Sequence, residues 1–163
     1  MFIYYLITFL FSMIPIFELR GAIPYAVFGH GIHPAAAYAI SVVGNFLPAP
    51  FIFLFLRKIL LWGKDKKFIG KFFSFCLNKG EKGGQKLQKN GGKGLFLALI
   101  LFVGIPLPVT GAWTGTLAAS ILDMDFKKAM LAVFCGILLA GVIVTLVVLG
   151  PLSFLANLFI KNV

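Results

Sequence analysis

Pro15-Ile-Phe-Glu-Leu-Arg-Gly-Ala-Ile-Pro24 decides how this chain is read. It sets a carboxylate, Glu18, and a guanidinium, Arg20, inside sequence that is otherwise largely apolar from Met1 to Leu60. Each charge costs several kcal/mol in hydrocarbon unless it is paired or faces a wet cavity. Pro15 and Pro24 bracket the two charges and predict a broken helix. A second break, Pro106-Leu-Pro-Val-Thr-Gly-Ala-Trp-Thr-Gly115, follows about ninety residues later, with Pro106 and Pro108 as its breakers. Broken helices at membrane depth form substrate and ion sites. The two stretches therefore read as matched halves of one site.

Working outward, 60% of the 163 residues are apolar and the mean hydropathy is +1.00. A soluble domain is nearer half apolar, so the sequence reads as an integral, all-α membrane protein. The 19 Phe suit lipid-facing helices. The N-terminus has neither a basic leader region nor a small-residue cleavage site, so Met1 onward is expected to stay in the mature chain.

The formal charge of +10 is concentrated. Eleven of the fifteen Lys and Arg fall between Arg57 and Lys93, which makes that linker cytoplasmic by the positive-inside rule. Its phenylalanines fit a membrane-surface helix over 64–77 better than a base-stacking groove, so no nucleic-acid partner is expected. A glycine- and lysine-rich stretch follows, suited to anionic lipid. Cys76 and Cys135 are isolated, and His30 and His33 lack companion ligands, so neither a disulfide framework nor a metal site is expected. No cofactor or enzyme motif is present.

Along the chain, Met1 to Ile14 is too short to span and ends at Pro15. Gly21 to Gly31 is shorter still, and the pair reads as a re-entrant hairpin. Ala35 to Leu56 is long enough to cross. Its first half is rich in small residues, and Asn45, Pro48 and Pro50 interrupt it. Leu95 to Val103 and Thr110 to Leu122 form the second hairpin. Asp123 or Asp125 caps a second span, Ala129 to Leu149. Residues 152–160 read as an interfacial helix. Setting Gly21 on Gly111 aligns the halves, with Gly44 two residues out of step with Gly136. The expected plan is one membrane domain: repeat one over 1–60, the linker over 61–93 and repeat two over 94–163. One crossing per half makes the repeat inverted. The first hairpin then enters from outside and the second from the cytoplasm.

The string Glu18-Leu-Arg-Gly-Ala-Ile-Pro24, with Pro106-Leu-Pro-Val-Thr-Gly-Ala-Trp113, resembles the small multidrug export protein family, related to the DedA (VTT-domain) superfamily. The resemblance implies paired re-entrant hairpins around an acidic and arginine site in a prokaryotic plasma membrane. In the wider superfamily it implies movement of lipid carriers such as undecaprenyl phosphate, often tied to the proton gradient. The second break departs from the first: Pro108 and Thr110 stand where Glu18 and Arg20 stand.

Arg20 is the candidate grip on an anionic head group, because a guanidinium offers planar bidentate bonds to phosphate. Glu18 is the candidate partner of Arg20 and the proton-relay candidate, since a carboxyl in low dielectric can exchange a proton near neutral pH. Asn45, Thr110, Trp113 and Thr114 supply polar side chains for a cavity wall. Half-helix N-termini after Gly21 and Gly111 point partial positive charge at an anion. The leading expectation is a transporter of an anionic lipid, with membrane lipids and protons as partners and a homodimer plausible from the short chain. Export of amphipathic cationic drugs, with Glu18 as charge partner, is the first alternative. A non-transporting scaffold is the second.

Overall fold

The structure, a computed structural model, describes residues 1–63, 93–106 and 110–150. The expected surface helix at 64–77, most of the basic linker, Pro108 and the expected helix at 152–160 lie outside the described residues.

Helix α1 spans Phe2–Met13, twelve residues. At 1.5 Å per residue it is about 18 Å long, well short of a bilayer's hydrocarbon core of about 30 Å. It stops where Ile14 turns extended, at φ −76° and ψ 129°. The ring of Pro15 favours that geometry in the residue before it. After a tight turn the chain re-enters a helix, α2, at Glu18–Pro24.

Two expectations are corrected here. Pro24 does not end the helix, which passes through it into a π-helical turn at Tyr25–Gly29. Pro24 has no N–H to give the Arg20 carbonyl, and widening the ladder to the next register absorbs the lost bond. The helix also begins at Glu18 rather than after Gly21, so its N-terminus does not lie where the sequence reading set it.

Gly31 turns the chain with φ +62°, and α3 begins at Pro34 and runs to Phe46. His33 caps it, its Nδ1 accepting from the Ala35 N–H at 3.3 Å. After Leu47, α4 runs Pro48–Gly63. Together α3 and the start of α4 make an apolar stretch, Pro34–Phe55, of 22 residues. The second half repeats the order. Helix α5 is Lys93–Gly104, again twelve residues. Helix α6 is Ala112–Ile121, and α7 is Phe126–Leu149, 24 residues. Asp125, rather than Asp123, caps α7, its Oδ1 accepting from the Lys128 N–H at 3.1 Å. Both long stretches are long and apolar enough to cross a membrane.

The packing of the two halves runs in parallel. Helix α1 lies on α3 as α5 lies on α7, and α2 reaches across to α7 as α6 reaches across to α4. The long segments α3 and α7 pack on each other. Small residues permit this approach. A Cβ on Gly44 would run into Ser12 and the Phe9 carbonyl of α1. One on Gly136 would run into Val103 and the Ile100 carbonyl of α5.

The distribution of side chains is that of a protein in lipid. Phe2, Leu10, Phe51, Phe55, Leu101 and Leu146 are among many large apolar residues left exposed. The interior holds Ala22, Ala26, Ala37, Ala129 and Ala132 beside buried Thr8, Ser12, Ser41, Asn45, Thr116 and Ser120. A water-soluble fold would not expose so much contiguous apolar surface. The chain is a helical membrane protein.

Candidate functional site

Glu18 is the first residue of α2 and has φ +49°, one of two non-glycine residues with positive φ among those described. Such backbone costs of order 1 kcal/mol or more and persists where surrounding contacts demand it. The contacts here come from the other half of the chain. The Glu18 side chain is buried, 5% exposed. Its Oε1 accepts a hydrogen bond from the backbone N–H of Trp113 at 3.2 Å. The N–H of Ala112 and the Asn45 side chain lie near enough to favour the carboxylate electrostatically. Ala112 and Trp113 open α6, whose own N-cap residue, Gly111, has no side chain to offer. Glu18 therefore caps a helix more than ninety positions away. A negative charge at a helix N-terminus meets both its orphan N–H groups and its dipole.

Gly111 makes this possible by close approach. A Cβ there would land on both oxygens of the Glu18 carboxylate. Its φ of 168° is ordinary extended backbone, so space rather than backbone freedom requires the glycine.

Arg20 is half-buried and points at the second break. Its Nη2 donates to the Ile105 carbonyl and to Thr110 Oγ1, both at 3.4 Å. Thr110 Oγ1 itself donates to the Ile105 carbonyl at 3.0 Å. Glu18 and Arg20 interact electrostatically, yet each is anchored to a different part of the 105–113 segment. Residues two apart diverge on a helix, and here the divergence lets one charge hold the helix start and the other reach Ile105 and Thr110 before it. Trp113 adds a third tie, its Nε1 donating to the Met13 carbonyl at 3.0 Å. That carbonyl is in the last turn of α1, so the indole closes the two breaks on each other.

Of the expected site residues, Glu18, Arg20, Asn45, Thr110, Gly111 and Trp113 come together. Two do not contribute in the same way. Thr114 Oγ1 bonds the Gly111 carbonyl of its own turn at 3.4 Å. Gly21 faces its own Phe17, whose Cβ would lie 3.0 Å from an added Cβ. Among the breakers, Pro15 acts as expected, Pro24 does not, and Pro106 lies between α5 and α6 beside the Ile105 carbonyl that Arg20 reaches. The partial positive charge expected after Gly111 is present at the start of α6, but the anion it holds is the chain's own Glu18.

The sequence reading missed two features. Ser41, one of the small residues in the first half of Ala35 to Leu56, is fully buried one turn before Asn45 on α3. His30 stacks on Tyr4 with ring centres 4.0 Å apart and meets the edge of Tyr25 at 4.6 Å. The four-residue spacing of Ser41 and Asn45 on an apolar helix is a signal that sequence could have used. An apolar cavity of about 450 Å³ lies elsewhere, between Tyr38 of α3 and Val142 and Leu146 of α7.

These features define a class: a helical membrane protein whose two helix–turn–helix units close on a buried carboxylate and an adjacent guanidinium. A family model described as "Putative small multi-drug export protein" matches residues 18–143, most of the chain. The chain belongs to that family. No curated protein and no solved structure matches it.

Proposed function

We propose that this protein exports amphipathic cationic small molecules across the membrane, with Glu18 as the charge partner of the substrate. The single observation that carries this is the buried Glu18 carboxylate at the junction of the two halves. A carboxylate in that setting attracts an organic cation, and the apolar surroundings suit the rest of an amphipath. Because Glu18 also caps α6, a cation that draws the carboxylate away weakens the hold on that helix. Binding is thereby linked to a shift of one half against the other. The family match supports the same reading.

In this account the two helix–turn–helix units are re-entrant hairpins related by an inverted repeat, with the basic linker cytoplasmic and both long segments crossing the membrane. The parallel packing of the halves supports it: residues 20 and 110, equivalent in the ninety-residue alignment, meet each other. Such a meeting is expected near a pseudo-two-fold axis. The short chain also fits a homodimer, which would thicken the wall around the site.

The test is accumulation of a lipophilic cationic dye inside energised inside-out vesicles, where export from the cell reads as uptake. Wild type is expected to move the dye, and Glu18→Gln to move none above vesicle background. Unchanged transport by folded Glu18→Gln overturns the proposal. Arg20 favours a second reading, movement of an anionic lipid or lipid phosphate, as in the DedA superfamily. Its half-buried guanidinium sits at the same junction. That reading expects Arg20→Ala to abolish movement of a fluorescent polyprenyl phosphate. A scaffold without transport activity would leave both assays at background in wild type.

A further inference from the structure

On α3, one turn apart, lie two oxygens that the site as described does not use. Ser41 is 0% exposed and Asn45 2% exposed. Neither Ser41 Oγ nor Asn45 Oδ1 has a hydrogen-bond partner among the described residues. Leaving a buried polar atom unsatisfied costs on the order of 1–3 kcal/mol, so two on one helical face require a physical cause. Residues four apart share a face with Cβ atoms about 5–6 Å apart.

Other oxygens lie along this stretch of α3. The Asn45 side chain lies near the Glu18 carboxylate and interacts with it electrostatically. Gly44, between the two on the same helix, receives Ser12 of α1 so closely that a Cβ could not fit. Ser12 Oγ donates to the Phe9 carbonyl at 2.7 Å and keeps its lone pairs for another partner. Pro48 follows four residues after Gly44 and has no N–H to give its carbonyl. This stretch of α3 thus carries oxygen acceptors, with the Glu18 carboxylate near Asn45. The nearby positive charge, Arg20, is turned toward Ile105 and Thr110.

Oxygen donors select hard cations over soft ones. One carboxylate fits a monovalent ion better than a divalent one. The near-complete burial of Ser41 and Asn45 suits a small dehydrated ion better than a drug-sized amine. We infer that Ser41, Asn45 and Glu18 form a sodium-binding site that shares the Glu18 carboxylate with the substrate. This goes beyond the export proposal, because ion binding at α3 does not depend on what is exported.

The test is equilibrium binding of radioactive sodium to the purified full-length chain in detergent, with Trp113 fluorescence as a second readout. Wild type is expected to bind one sodium ion per chain saturably, displaced by unlabelled sodium but not by choline. Ser41→Ala, which removes one ligand and little volume, is expected to weaken binding about tenfold. Asn45→Leu is expected to abolish it. Each variant is first shown to be monodisperse with a wild-type melting profile. Wild-type protein without saturable sodium binding overturns the inference, as does binding that Ser41→Ala leaves unchanged. Either result assigns the two oxygens to ordered water. Dye transport is not read in this experiment, so failure of the sodium site and failure of the export reading are separate outcomes.

Discussion

The carboxylate of Glu18 caps the helix that begins beside Trp113, accepting its backbone N–H at 3.2 Å across 95 positions of sequence. One side chain of the first break thus completes the backbone of the second. The chain's fold and its candidate site depend on the same contact.

Gly111→Ala tests that contact through space alone. The added methyl falls on both Glu18 oxygens, and overpacking of this kind costs about 1–3 kcal/mol. Thermal unfolding in detergent is expected to shift down accordingly. In the Glu18→Ala background the same substitution is expected to cost much less. The coupling between the two changes is the measured quantity.

Trp113→Phe keeps the aromatic ring and removes only the indole N–H, which donates to the Met13 carbonyl. A net loss of about 1 kcal/mol is expected. The change should be visible in chemical denaturation, with the spectrum of the remaining Trp62 unaltered.

Much of this architecture is legible in the sequence. Pro15 marks the end of α1 because a proline disfavours helical backbone in the residue before it, and Ile14 is extended. The lengths of the apolar runs separate the short helices from the long ones. The alignment of Gly21 with Gly111 sets residue 20 against residue 110, and those two side chains hydrogen-bond. What is not legible is who meets whom. That Glu18 serves α6 rather than Arg20 alone follows from a contact between halves, which no local pattern encodes. Pro24 misled because loss of one N–H was read as a stop, whereas a π-turn carries the helix past it. Ser41 looked like a packing residue because its size, and not its unmet hydroxyl, is what sequence displays.

Gly44→Leu and Gly136→Leu test the matched packing of the two halves. Each side chain would have to displace a helix seated on the glycine, α1 in one case and α5 in the other. Both variants are expected to lose the monodisperse peak of wild type in gel filtration, to a similar degree. Loss in one with full tolerance in the other would contradict equivalent seating.

Asp125→Ala serves as a distant comparison. The carboxylate caps α7 at an exposed turn, and removing such a cap costs about 1 kcal/mol. Stability is expected to fall by that amount, while dye export per folded molecule stays at the wild-type rate.

The most direct measurement is calorimetric binding of tetraphenylphosphonium, a lipophilic cation, to purified wild type, Glu18→Gln and Arg20→Ala. With Glu18 as the charge partner, wild type and Arg20→Ala bind the cation and Glu18→Gln gives no heat above dilution. Undiminished binding by a folded Glu18→Gln protein would contradict the account.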